Sequence, residues 1–133
     1  MIALKKVRVI NWYGVTNVTA PIGFFTLIAG RNGNGKSAML DAVKYAAYAD
    51  TVFNKSSESK GSRTLSSYTR GLLDATAGTY MRPADRIANV YSHIVLEYFD
   101  EVEEKSFVLG AVIETNAANN CQTYRYVADR FSL

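Results

Sequence analysis

Gly30-Arg31-Asn32-Gly33-Asn34-Gly35-Lys36-Ser37 satisfies every defined position of the eight-residue phosphate-loop pattern. Glycines at these places let the backbone turn tightly enough for successive N–H groups to face one anion, and a helix opening near Gly35 would add its positive end. A lysine then reaches the β- and γ-phosphates as a mobile point charge, and a serine hydroxyl suits Mg²⁺. The stretch therefore predicts a site for a nucleoside triphosphate, with Mg-ATP as the expected ligand. The bland alternative, a glycine-rich turn followed by chance by Lys-Ser, has to be judged on what flanks it.

On the N-terminal side lies Phe24-Phe25-Thr26-Leu27-Ile28-Ala29, a compact apolar run that suits a strand buried on both faces. Periodicity alone allows a buried helix there, but the glycines that follow would end one. On the other side, Ser37 to Ala49 is alanine-rich, with Leu40, Val43 and Ala47 on one helical face. Strand, glycine loop and helix in that order form a known unit.

Further out, Val7, Val9 and Asn11 alternate with Lys6, Arg8 and Ile10 from Leu4 to Trp12, which reads as a strand. Tyr13-Gly14 breaks it, and a second short strand, Val15 to Thr19, is expected to pair back as a hairpin. Asn54 to Ser62 is polar and low in complexity and reads as a surface loop. Leu65, Tyr68 and Leu72 suggest a short helix ending near Gly71 to Asp74, and Gly78 to Pro83 a connection. Val90 to Phe99, Ser106 to Glu114 and Gln122 to Ala128 then form three strands whose short links predict an antiparallel meander.

The chain has 133 residues, room for one domain but little for a complete two-lobed ATPase. Apolar residues at 48% and charged residues at 20% favour a folded globular protein over a disordered one. Fifteen Lys and Arg against twelve Asp and Glu give +3, a balance that permits a nucleic-acid surface without demanding one. Cys121 is the single cysteine, so no internal disulfide can form. The start lacks a secretory signal, and the longest apolar run is too short to span a bilayer. A cytoplasmic protein with no membrane partner is expected.

Leu4 to Trp12, the strand Phe25 to Gly30, the glycine loop and Leu40-Asp41-Ala42 together resemble the start of an SMC-type ATPase head. Within that superfamily, Ile10-Asn11-Trp12-Tyr13, Ser66-Ser67-Tyr68-Thr69-Arg70-Gly71 and Val95-Leu96-Glu97-Tyr98-Phe99-Asp100 look most like the MukB-like JetC subunits of Wadjet plasmid-defence systems. The resemblance implies an α/β P-loop fold, the N-terminal lobe of an ABC-type head over residues 1–133, with a mixed sheet joined to the antiparallel meander. It implies ATP and Mg²⁺ held by Gly30, Arg31, Asn32, Gly33, Asn34, Gly35, Lys36 and Ser37, Ser37 also serving the metal, with Arg63 approaching the nucleotide or DNA. The implied partners are the C-terminal half of the same head, a second head in a homodimer, DNA, and kleisin-type subunits. The chain lacks the Leu-Ser-Gly-Gly signature, a coiled-coil heptad run and an evident Q-loop around its single glutamine, Gln122. No catalytic residue is therefore assigned within it, and hydrolysis is expected to need the missing segment.

Other features compete with plainer readings. Asp100 and Glu101 after an apolar run look like a Walker B acid and a catalytic glutamate, yet Glu97 interrupts the run as on a half-exposed strand, and the decoy reading is preferred. Arg70 has the same choice as Arg63 between a functional contact and a solvated surface, the latter slightly favoured. Lys5, Lys6 and Arg8 offer contacts to DNA phosphates or merely keep one strand face wet. Trp12 and Tyr13 would lie near adenine or, more commonly for such positions, pack in the core. His93 is expected to face solvent and Cys121 to be inert. Two rivals to the head assignment remain: a self-contained small NTPase or kinase using Asp100 and Glu101, and a non-catalytic DNA-binding or assembly module.

Overall fold

The computed structural model describes residues 1–22, 36–49, 64–74 and 77–133. Strands β1 (Ile2–Trp12), β2 (Val15–Pro21), β5 (Val90–Asp100), β6 (Lys105–Thr115) and β7 (Cys121–Asp129) form one sheet. Its order is β2-β1-β5-β6-β7, and every pair within it is antiparallel. Helices α1 (Lys36–Tyr48) and α2 (Leu65–Arg70) lie on one face, and a small ribbon of β3 (Leu72–Asp74) and β4 (Thr79–Tyr80) follows α2.

The N-terminal hairpin and the C-terminal meander fall where the residue patterns place them, but they are not separate units. β1 pairs along its length with β5, from Ile2 opposite Asp100 to Ile10 opposite His93, so β5 becomes the central strand. That position alters its burial: Val95 and Glu97, expected on a half-exposed strand, are both covered. Glu97 accepts a hydrogen bond from the Leu133 amide at 3.0 Å, and Lys6 donates to the Leu133 carbonyl at 3.1 Å. The strand expected at Phe24 to Ala29, on which a mixed sheet depends, lies outside the described residues, as does the Asn54 to Ser62 loop.

The core side of the sheet presents Val7, Val9, Ile94, Leu96, Ala111 and Ile113 to the helices. Simple alternation along β1 would place Asn11 with Val7 and Val9. Instead Asn11 takes a left-handed conformation, φ 52°, which asparagine tolerates better than most residues. Trp12 thereby enters the core with no exposed surface. The Asn11 turn is held by its own side chain, whose Nδ2 donates to the Tyr91 carbonyl, while the Ser92 hydroxyl donates to the Asn11 carbonyl.

Among the described residues no helix is long and apolar enough to cross a membrane.

Candidate functional site

Helix α1 opens at Lys36, so Lys36 and Ser37 are its first two residues and the glycine run ends where the helix begins. Alanine and unbranched residues favour the helix, and Ala38, Ala42, Tyr45 and Ala46 repeat at the spacing of one buried stripe. Three of those four are alanines, which lets the helix axis approach the sheet closely. No acidic residue occupies the first turn, leaving the positive helix end uncompensated there by any side chain of its own.

Both ends of α1 are tied to the sheet. Near the start, the Trp12 indole donates to the Ala38 carbonyl at 2.7 Å, fixing the first turn against the end of β1. At the far end, Arg125 of β7 donates to the carbonyls of Tyr45 and Ala46 at 2.8 and 2.9 Å, and its guanidinium lies 4.8 Å from the centre of the Tyr45 ring. A cation there meets the negative end of the helix. Tyr45 also bonds Thr123 at 2.6 Å.

The second turn of α1 carries Asp41, whose carboxylate is fully buried and accepts from the Tyr68 hydroxyl at 2.5 Å. Tyr68 stacks on Trp12 with ring centres 4.6 Å apart and planes 15° from parallel. Its helix, α2, is set by a capping box between Thr64 and Ser67 and ends at Gly71, φ 69°. A side chain at Gly71 would also collide with Met81, 2.8 Å from the position of a Cβ.

Arg70 corrects the reading of a solvated surface residue. It is wholly buried and donates to four carbonyls, those of Arg82, Ile87, Ala88 and Asn116, at 2.7 to 2.9 Å. Arg82 answers it, donating to the carbonyls of Thr69, Tyr13 and Val15. Burial lowers the Arg82 pKa from its ordinary value. Between them the two arginines knit α2, the β1–β2 turn, the 82–88 segment and the β6–β7 turn into one frame.

Of the residues assigned to the site, Gly30, Arg31, Asn32, Gly33, Asn34, Gly35 and Arg63 lie outside the described residues. Asp100 and Glu101 are well placed and are not at the site. Ile2 pairs with Asp100, whereas Trp12, at the other end of β1, touches α1. Ten residues of strand at about 3.3 Å each separate the acids from the start of α1 by roughly 30 Å. Asp100 instead accepts from the Val102 and Glu103 amides and shapes the β5–β6 turn. The self-contained enzyme built on these two acids is therefore set aside.

Trp12 is a core residue rather than an adenine contact, and Tyr13 meets Tyr68 edge-on with centres 6.2 Å apart. Lys6 and Arg8 point away from α1, Lys6 to Leu133 and Arg8 to Asn17 at 3.3 Å, while Lys5 is exposed. His93 is half-buried rather than free in solvent: it shares a 2.6 Å hydrogen bond with Tyr126, and burial, then the nearby Arg8, lower its pKa. Among the described residues no cluster of His, Cys, Asp and Glu could hold a metal on its own. Arg82 and Arg125 were not singled out by sequence reasoning, and Asp41 and Tyr68 entered it only as members of a motif or a helical pattern, with no role of their own; the Tyr-Arg-Tyr of β7 gave no local sign that its arginine would reach a helix end.

Residues 4–60 are similar to a family described as the P-loop containing region of AAA domain. That stretch takes in most of β1, all of β2, the glycine run and α1, and it supports a P-loop NTPase with a nucleotide-binding region at this place. No curated protein matches the chain.

Proposed function

We propose that the chain binds Mg-ATP through Gly30 to Ser37 and forms the N-terminal lobe of an SMC-like ATPase head. The observation that carries the reading is the start of α1 at Lys36, directly after the glycine run, with no carboxylate in its first turn. Backbone amides of the loop and the helix end would take the phosphates, Lys36 the β- and γ-oxygens, and Ser37 the metal. Mg²⁺ held there would supply neutralisation of the phosphate charge. With Asp100 and Glu101 remote, the water-positioning acid has to come from elsewhere, which favours a partial head completed by its C-terminal half. In this reading ATP then joins two heads, and their engagement acts on DNA, with kleisin-type subunits as candidate partners.

Calorimetric titration of the purified chain with Mg-ATP tests the first step. Binding that Lys36→Ala weakens by at least roughly tenfold is expected, consistent with loss of a charge-assisted phosphate contact. Equal binding by Lys36→Ala would favour the non-catalytic module instead. Robust ATP turnover by the isolated chain would contradict the half-head; turnover appearing only when the C-terminal head segment is added would support it.

A further inference from the structure

We infer that Tyr68 and Asp41 are positioning residues for the phosphate site, acting through the first two turns of α1; this rests on the nucleotide reading above. The geometry is a closed clasp. Trp12 donates to Ala38 in the first turn, Tyr68 stacks on Trp12, and the Tyr68 hydroxyl returns to Asp41 one turn further along. Tyr13 closes the other side, its amide donating to the Tyr68 carbonyl at 2.6 Å. Two points three residues apart on α1 are thus fixed to the end of β1 and to α2, which determines both the rotation and the height of the helix end that carries Lys36. All of Trp12, Asp41 and Tyr68 are essentially without exposed surface. Hydrogen bonds in such surroundings are directional and hold position, and a small displacement of a charge-binding group is amplified in affinity.

Tyr68→Phe removes one polar hydrogen from the clasp and keeps its ring, whereas Trp12→Phe removes the indole N–H together with part of the buried ring and keeps one aromatic ring against Tyr68. Thr115→Val serves as a comparison, since Thr115 is equally buried, bonds Thr69 at 2.6 Å, and is not part of the clasp. Mg-ATP affinity is measured with a fluorescent ATP analogue at a temperature where each variant is folded by circular dichroism. Tyr68→Phe and Trp12→Phe should each bind roughly tenfold more weakly than wild type, whereas Thr115→Val should lower the melting temperature and leave affinity within twofold.

If wild type binds and Tyr68→Phe binds within twofold of it, the clasp does not position the site. Equal weakening by Thr115→Val overturns the inference too, because general loosening then explains the effect. Should one clasp variant fail to fold, the other gives the reading; failure of both shows a purely structural role. Absence of binding by wild type refutes the nucleotide reading itself, a separate outcome.

Discussion

Replacing Arg70 by methionine retains a long unbranched side chain and removes five donors from the centre of the frame. Four carbonyls lose their partner. The Arg82 bond is buried and its carbonyl has little access to water; leaving such an acceptor unsatisfied costs about 2 kcal/mol. Ile87, Ala88 and Asn116 are exposed residues, so water can replace the guanidinium at roughly 0.5 kcal/mol each. Recovery of the guanidinium's hydration acts in the unfolded reference and already opposes the native bond; the Arg70 Nε has no partner among the described residues and contributes nothing to be lost. The total is about 3.5 kcal/mol, a large part of the 5 to 15 kcal/mol by which domains are usually stable, and corresponds to about 12 °C in melting temperature. Arg70→Lys should lie between, because a point ammonium cannot span four acceptors. Urea unfolding followed by far-ultraviolet circular dichroism reads both variants. Arg70→Met within about 0.5 kcal/mol of wild type would show that the four bonds merely offset the burial of the charge.

Arg125→Met, which frees the end of α1, should destabilise by about 1 kcal/mol, measured by the same unfolding curves. Folded His93 has a pKa below the ordinary imidazole value of about 6.5. The unfolded chain consequently binds a proton first as pH falls, so this contribution to stability is complete above about pH 6.5 and is lost on acidification through the folded pKa. His93→Gln should flatten that limb of the stability profile, and an unchanged profile would count against the His93 environment described here. In Gly110→Ala the new methyl would meet the Tyr126 ring, 2.0 Å from the position of a Cβ. Because the colliding atoms are the far end of a half-exposed ring, Tyr126 should swing away at a cost below about 1 kcal/mol, and proton NMR titration should show the His93 pKa rising.

The helix after the motif and the strands at either end of the chain were legible because each is signalled locally. Period-two alternation marks β1, alanine and helical spacing mark α1, and short polar links force antiparallel neighbours. What escaped was non-local. The pairing of β1 with β5 joins segments some ninety residues apart and makes Glu97 a buried residue, though its own neighbours suggest a wet face. Asn11 breaks the alternation through a single positive φ that exchanges it with Trp12 in the core. Arg70 looks like any surface cation until four carbonyls from distant turns converge on it. Conversely, Asp100 shows how a convincing local motif is overruled by position: it ends the right kind of strand at the wrong end of the sheet.

Amide-resolved NMR of the chain with and without Mg-ATP reads the phosphate cradle itself. The largest shifts should fall on the amides of Gly33, Asn34, Gly35, Lys36 and Ser37, with the Trp12 indole N–H following them through its bond to Ala38. Shifts confined to other segments, or none at saturating nucleotide, would contradict a phosphate site there.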